Sequence, residues 1–152
     1  MEAGFNKGVA YVNPDIQTTS VTTGDWADTV KAREASLALI SQGYDVLFPC
    51  LDAAGAGVAA AAQDSKGVKI IGSVADYAKD YGAEDVTIGS VVYAWSTLGY
   101  LAAKGELNDG GSHVIGLNDG GITPVLNADL GEGKATYEKV LEELKAGKIS
   151  LN

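Results

Sequence analysis

The strongest constraint on the fold is the alternation of short β-prone runs with segments of helical spacing. Runs rich in Val, Ile and Thr are typical of strands, and apolar residues three or four apart are typical of helices. Strands separated by helices form βαβ units, which predicts an α/β domain of three layers with a mainly parallel sheet. The predicted strands are 16–22, 44–50, 68–72, 86–92 and 113–117, and the predicted helices are 2–12, 26–42, 53–65, 93–105 and 134–146.

Local signals refine the second helix and the segment that follows the third strand. Asp25 is placed to cap the helix at 26–42, and Gly43 is placed to end it. The stretch 73–85 is rich in charged residues, so it is predicted to be a polar connection. The inner face of the second helix is predicted to contain Trp26, Val30, Leu37 and Ile40.

Composition excludes several classes of function. The chain has 152 residues and a net charge of −9, and its eleven Lys and Arg are scattered, which argues against a nucleic-acid partner. The chain has one cysteine, Cys50, which excludes an internal disulfide. It also has only one histidine, and one residue of each type argues against a Cys/His zinc site. No apolar run reaches the ~20 residues of a membrane span. The first residues, "MEAGFNKG", do not have the pattern of a signal peptide, so we expect none in this chain.

Ligands of parallel α/β sheets bind beyond the carboxyl ends of the strands, so the residues that follow each strand are the candidate site. Carboxylates there can accept hydrogen bonds from a ligand, although capping a helix is their commoner role. Aromatic rings there can stack on a planar ligand, with core packing as the alternative. The candidate ligand-binding residues are Asp25, Trp26, Asp52, Gly55, Asp76, Tyr93 and Trp95.

The segment "GAGVAA" at 55–60 offers a rival interpretation as a dinucleotide fingerprint, with Asp76 about twenty residues further on. The fingerprint requires its first glycine at the strand end, whereas "LDAA" intervenes here. Close backbone packing at a helix start is therefore the favoured role of Gly55 and Gly57. No serine or cysteine nucleophile stands near His113 in a recognisable motif, so we predict no catalytic residue. We also predict that the chain holds no metal and no cofactor.

Several blocks in order resemble one protein family: "AGFNKGVAYVNPDI", "TGDW", "KAREASLALISQGYDVLFPCLDAAGAGV", "GVKIIG" and "VIGLNDGGI". The chain resembles the basic membrane protein (PnrA-like) family, the substrate-binding proteins of ABC importers. The resemblance implies a receptor rather than an enzyme, with the type I periplasmic-binding fold, in which each lobe is flavodoxin-like. Two such lobes close on a ligand, often a purine nucleoside or nucleobase. It also implies an extracytoplasmic protein, commonly a lipoprotein, that delivers its ligand to a membrane permease.

The resemblance covers only the later half of the family's length. It implies that 1–152 is a single C-terminal lobe, that about 93–118 crosses towards a first lobe, and that the strand preceding "EAGFNKG" is missing. A gap in the sheet could be filled by another chain, as in a strand- or domain-swapped homodimer. A truncated or engineered fragment without ligand function remains a third possibility.

The resemblance also implies altered ligand positions. Val74 stands where the family often has an aspartate, and Tyr93 where it often has a lysine. Asp52 or Asp76 could then serve as the acceptor for ligand hydroxyls, with Trp26 or Trp95 as the stacking face.

Overall fold

A computed structural model describes residues 1–107 and 109–149 as a sheet of four strands with six helices. The α/β class and the mainly parallel sheet predicted from the sequence are confirmed. Asn108, in a predicted loop, and residues 150–152, at the end of the predicted lobe, lie outside the described residues. In chain order the elements are α1 Glu2–Val12, α2 Thr29–Ser41, β1 Val46–Leu47, α3 Gly55–Gln63, β2 Lys69–Val74, α4 Tyr77–Tyr81, β3 Thr87–Tyr93, α5 Trp95–Ala103, β4 Ile122–Leu126 and α6 Gly133–Lys145.

The strands lie side by side in chain order. β1 pairs with β2, and β2 with β3, both in parallel, so the carboxyl ends of these three strands share one edge of the sheet. β4 pairs antiparallel with β3, and Tyr93 lies opposite Ile122. A ligand that uses the parallel strand ends must therefore bind where β1, β2 and β3 end.

The buried core lies between the parallel strands and helices α2, α3 and α4. Ile70 and Tyr77 are its largest fully buried apolar side chains, and the small residues Ala54, Ala59 and Ala62 let α3 approach closely. α3 and α4 pack on the sheet, while α2 packs on α3. This core fixes the strand ends relative to the start of α3.

Two of the predicted strands are wrong. Residues 16–22 are exposed and form no strand, because β-prone residues need a neighbouring strand to satisfy their backbone groups. Residues 113–117 also lie in a loop, and the strand is formed instead by Ile122–Leu126. Pro124 fits in that strand because β4 is at the edge of the sheet, where a missing backbone donor is tolerated.

The start of the second helix was also predicted wrongly. α2 begins at Thr29, and its N-cap is Asp28, whose side chain accepts from the Lys31 amide at 2.9 Å. Trp26 consequently precedes the helix, and Val30, predicted to face the core, is 67% exposed. The residues of α2 that are buried are Ala32 and Ser36, while Gly43 has the predicted positive φ, of 96°.

The predicted polar connection at 73–85 contains a helix. α4 begins after Asp76, whose carboxylate accepts from the Lys79 amide at 3.4 Å. Its first residue, Tyr77, is fully buried although charged residues surround it in the sequence. The charged residues of α4, Lys79 and Asp80, are exposed, while the buried ring of Tyr77 holds this short helix against the core.

Helices α1, α5 and α6 bury no residue completely. α1 is held by a stack of Phe5 on Phe48, with ring centroids 4.5 Å apart. Tyr11 of α1 also donates to Glu143 of α6 at 3.1 Å. The chain exposes 9479 Å², whereas a folded monomer of its mass exposes about 7200 Å². About 2200 Å² more surface is therefore exposed than a monomer of this size usually leaves in water.

Candidate functional site

A cavity of about 280 Å³ lies where the three parallel strands end. We call it the strand-end cavity. It combines two indole rings and two aliphatic side chains with a single carboxylate, which is the composition of a site for a planar ligand with a polar edge. Its lining residues are Trp26, Leu51, Asp52, Val74 and Trp95.

Each indole reaches the cavity from a segment that follows a predicted strand. The backbone oxygen of Trp26 accepts from the Ala54 amide at 3.0 Å, which ties the segment before α2 to the start of α3. Trp95 is the first residue of α5, and the preceding Ala94 donates to the Gly121 oxygen at 2.9 Å. Both tryptophans are 64% exposed, so each leaves most of its surface free for a ligand or a partner.

Among the residues that the structure describes, Asp52 is the only charged one that lines the strand-end cavity. Its backbone oxygen accepts from the Gly55 amide at 2.8 Å and from the Tyr81 hydroxyl at 3.1 Å, which fixes the position of its main chain. Burial raises the pKa of Tyr81, and the nearby Asp52 carboxylate adds to the effect. Tyr81 therefore keeps its proton and can continue to donate at neutral pH.

Val74 contributes an unusual backbone conformation to the same cavity. Its φ is +72°, a value that is rare for any residue with a side chain and rarer for a β-branched one. The Ala75 amide donates to the Ser73 oxygen at 2.8 Å, so residues 73–75 form a γ-turn centred on Val74. This turn carries the chain from β2 to the cap of α4 and places the valine in the cavity wall. Strain of this kind concentrates at functional sites.

A second cavity, of about 270 Å³, lies beyond Trp95, and we call it the loop cavity. Trp95 contacts both cavities, and its ring meets that of Tyr93 edge-on at 5.6 Å. His113 lines the loop cavity, and its Nε2 lies 2.7 Å from Asp109 Oδ1. The Gly111 amide and then His113 hold the pKa of Asp109 below its ordinary value. The remaining apolar lining includes Leu98, Ile115 and Ile122.

Of the seven candidate residues, the structure brings Trp26, Asp52 and Trp95 together in the strand-end cavity and places Tyr93 in the loop cavity. Asp25 and Asp76 are engaged elsewhere. Asp25 Oδ1 accepts from the Ala27 amide at 2.8 Å, and Asp76 caps α4. Leu51 is not among the seven candidates, although it directly follows the predicted strand 44–50 and so has the position that the rule for strand ends indicates.

Gly55 and Gly57 face the protein interior rather than a cavity. A Cβ on Gly55 would lie 2.3 Å from the Tyr77 hydroxyl oxygen. A Cβ on Gly57 would lie 2.0 Å from the backbone oxygen of Thr29 in α2. The glycines of "GAGVAA" thus allow α3 to approach α2 and α4, as the packing interpretation predicts, and Gly55 does not line the strand-end cavity.

Tyr77 has a buried hydroxyl without a hydrogen-bond partner among the described residues. Burial raises its pKa far above the ordinary value, and the neighbouring Tyr81 and Cys50 add to the shift. The hydroxyl is packed against Gly55 beneath the start of α3. Its role is therefore in the packing of the core.

Neither a metal site nor a membrane span is found in the described part of the chain. Its His, Cys, Asp and Glu side chains form no group of three or more suited to hold a metal ion. None of the helices at 1–107 and 109–149 combines the length and apolarity needed to cross a bilayer.

Comparisons with known proteins agree with this architecture. A model of the family described as "ABC transporter substrate-binding protein PnrA-like" matches residues 1–149. The transcriptional activator protein med of Bacillus subtilis is 32% identical, over 91% of this chain and 47% of its own. Basic membrane protein D of Borreliella burgdorferi is 29% identical, over 98% and 44%. A purine-binding protein of Brucella abortus is 32% identical, over 68% and 28%.

Solved structures show the same fold. A transcriptional activator of the comK gene from Bacillus halodurans superposes with a TM-score of 0.71 at 26% identity, over 91% of this chain and 50% of that chain. An ABC transporter solute-binding protein of Aeropyrum pernix superposes with a TM-score of 0.75 at 16% identity, over 97% and 51%. The chain thus spans about half the length, or less, of the proteins that it matches. With a family match over nearly its whole length, the chain belongs to the PnrA-like family of ABC transporter substrate-binding proteins.

Proposed function

We propose that this chain is one lobe of an extracytoplasmic solute receptor that binds a purine-like nucleobase or nucleoside in the strand-end cavity. The observation that carries the proposal is the pairing of Trp26 and Trp95 with Asp52 at the carboxyl ends of the parallel strands. Indole faces stack on planar rings, and a carboxylate accepts from ring N–H or amino groups. The Brucella relative named for purine binding supports the same ligand class.

In a two-lobe receptor, the exposed rings of Trp26 and Trp95 would contact a second lobe as well as the ligand. Trp26 and Trp95 each keep 64% of their surface free, and the chain exposes about 2200 Å² more than a monomer of its mass usually does. That excess is of the size that an extensive protein–protein interface removes from water. We propose that a second lobe covers this surface, closes the cavity over the ligand, and presents the closed receptor to an ABC permease. A swapped homodimer is the alternative partner, and light scattering at several concentrations distinguishes it from a monomer.

Calorimetry and tryptophan fluorescence with adenine, guanine and adenosine test the ligand. Because one lobe supplies only part of the contacts, we expect dissociation constants weaker than micromolar for the chain alone. Trp26→Ala and Trp95→Ala should each weaken binding by at least about fivefold, since a stacked base contributes ~1–3 kcal/mol. Tyr100→Ala is the matched control, because Tyr100 is 61% exposed but lines neither cavity.

Two results would contradict the proposal. Submicromolar binding by the monomer would show that one lobe is sufficient for binding. Equal losses of affinity in the Tyr100 and tryptophan variants would show that the strand-end cavity does not bind the ligand. Stabilisation by NAD(P) in a melting assay would instead support the dinucleotide interpretation of residues 55–60.

A further inference from the structure

We infer that the outer edge of β1 is a self-association surface, at which two copies of the chain pair their β1 strands antiparallel across a twofold axis. β1 is the first strand in the order of the sheet, so β2 is its one neighbouring strand among the residues that the structure describes. This edge is at the side of the sheet, whereas the strand-end cavity lies beyond the carboxyl ends of the strands. The inference therefore does not depend on the proposed function.

The hydrogen bonds between β1 and β2 show which backbone groups of β1 face outward. The Lys69 amide of β2 donates to the Asp45 oxygen at 2.8 Å, and Val46 is in register with Lys69. Backbone groups alternate in direction along a strand, so Asp45 and Leu47 face β2. Val46 and Phe48 consequently direct their N–H and C=O groups away from the sheet. Within the described ranges, no other segment forms a backbone hydrogen bond with these outward groups.

The proline next to this edge does not protect it. Natural edge strands often carry a proline or a charge that prevents pairing with another chain. The Pro49 oxygen accepts from the Ser73 hydroxyl of β2, so Pro49 faces inward and blocks no outward donor. Val46 is uncharged and 40% exposed. The edge thus combines unpaired backbone groups with an exposed apolar side chain.

A second copy of the chain fits the pattern of this edge. When two β1 strands run antiparallel with Leu47 opposite Leu47 of the second copy, Val46 of each copy lies opposite Phe48 of the other. Such a pair exchanges N–H···O bonds in both directions, and the twofold axis repeats the pair. The outward groups of both residues are then satisfied in both copies. Asp45 lies opposite Pro49 in this register, so the two Asp45 carboxylates do not meet.

The exposed surface is large enough for such a dimer. The chain exposes about 2200 Å² more than a monomer of its mass usually does, and a standard interface covers about 800 Å² on each partner. Helix α1 adds to the contact, because Phe5 stacks on Phe48 and so places α1 beside the edge. The twofold axis brings the two α1 helices to the same face of the joined sheet. Pairing at β1 therefore buries side chains as well as backbone groups.

Two substitutions of Val46 separate the backbone from the side chain. Val46→Pro removes the outward N–H from each copy, and proline is tolerated in an edge strand where the missing N–H faces solvent. Val46→Thr is the matched control, because threonine keeps the N–H and is typical of strands. Both variants should fold, with Tm values that differ by at most about 4 °C.

Sedimentation equilibrium of the 152-residue protein measures the dimer. Because β1 is short, we expect a dissociation constant of about 1–100 μM for the wild type. Val46→Pro should raise this constant at least about tenfold, because a hydrogen bond is lost on each side of the axis. Val46→Thr should change it by less than about threefold. Added salt should strengthen association of the wild type, because it screens the repulsion between two chains of net charge −9.

Amide hydrogen exchange of the wild type identifies the paired residues and does not depend on the folding of any variant. At concentrations well above the dissociation constant, the Val46 and Phe48 amides should exchange at least about tenfold more slowly than at concentrations well below it. The Leu47 amide faces β2 and should be protected at both concentrations.

Three results would overturn the inference. The first is a wild type that remains monomeric about tenfold above the expected range of dissociation constants. The second is an equal effect of the proline and threonine variants on association, which would place the dimer interface elsewhere. The third is protection of the Val46 and Phe48 amides in the dilute monomer, which would show that a segment of the same chain covers the edge.

Discussion

Replacing Gly57 with alanine tests whether the glycines of "GAGVAA" exist for packing. The added Cβ would lie 2.0 Å from the Thr29 oxygen, 2.9 Å from the Thr29 carbonyl carbon and 3.0 Å from the Arg33 amide nitrogen. All three atoms belong to the backbone of α2, so no side chain can move aside. α2 must shift by more than 1 Å to restore an ordinary contact of ~3.4 Å.

The magnitude follows from two opposing effects. Overpacking of a close interface costs about 1–3 kcal/mol, and contact with backbone places this site near the upper end. Alanine in place of glycine within a helix returns about 1 kcal/mol. We therefore expect Gly57→Ala to lower the free energy of unfolding by about 2 kcal/mol, which moves the urea midpoint down by about 1 M for a typical m-value near 2 kcal/mol/M.

Gly8→Ala is the matched control for this substitution. Gly8 lies within α1, and a Cβ there would meet no heavy atom within 4 Å. The same change should leave stability unchanged or raise it by up to about 1 kcal/mol. Urea unfolding of both variants shows directly whether each substitution raises or lowers the free energy of unfolding. A Gly57→Ala protein as stable as the wild type would refute the close approach of α2 and α3 and would reopen a ligand-binding role for these glycines.

Further predictions concern the caps and the buried tyrosine. Asp28→Ala should lower the free energy of unfolding by about 1 kcal/mol, because it removes the side-chain acceptor of the Lys31 amide. An unchanged urea midpoint would show that Asp28 does not cap α2. Tyr77→Phe should leave stability unchanged or raise it by up to about 1 kcal/mol, because the lost hydroxyl is buried without a partner. Because burial raises the pKa of Tyr77, the unfolded chain loses this proton near pH 10 while the folded chain retains it. The free energy of unfolding should therefore fall above pH 10, and less steeply in Tyr77→Phe; equal slopes from pH 8 to 11 would contradict the shifted pKa.

The elements that the sequence predicted well are those whose signals are local. The helices α1, α3, α5 and α6 each begin and end within two residues of their predicted bounds. Gly43 adopts the left-handed conformation expected of a residue that ends a helix. The cap of the second helix was assigned to Asp25 alone, but Asp28 is the N-cap, and both aspartates accept backbone hydrogen bonds. Asp25 accepts from the Asp28 amide at 3.2 Å, while Asp28 is the residue that caps α2.

The errors arise where pairing decides the structure. Residues 16–22 have strand composition, yet no neighbouring strand is available to them, and composition alone cannot reveal that. Residues 122–126 contain a proline that argues against a strand unless the strand lies at an edge, which is a property of the whole sheet.

The candidate site was predictable only in part. Asp52 and Trp95 follow strands that form, so the rule for parallel sheets identified them. Trp26 was selected because it follows the predicted strand 16–22, which does not form, so its place in the cavity does not come from that rule. The conformation of Val74 could not be predicted, because valine disfavours positive φ and only the constraints on either side impose it. Asp76 had the right position in the sequence but serves α4, because a helix follows directly.

The pairing of Tyr93 with Ile122 has a mechanical consequence for everything between them. The chain departs from the sheet after Tyr93 and returns at Ile122, and the Ala94–Gly121 hydrogen bond of 2.9 Å extends that contact by one step. The segment 94–121, which contains Trp95, is therefore fastened to the sheet at two neighbouring points. The distance between Trp95 and Asp52, and with it the width of the strand-end cavity, depends on how that pair of attachments is set.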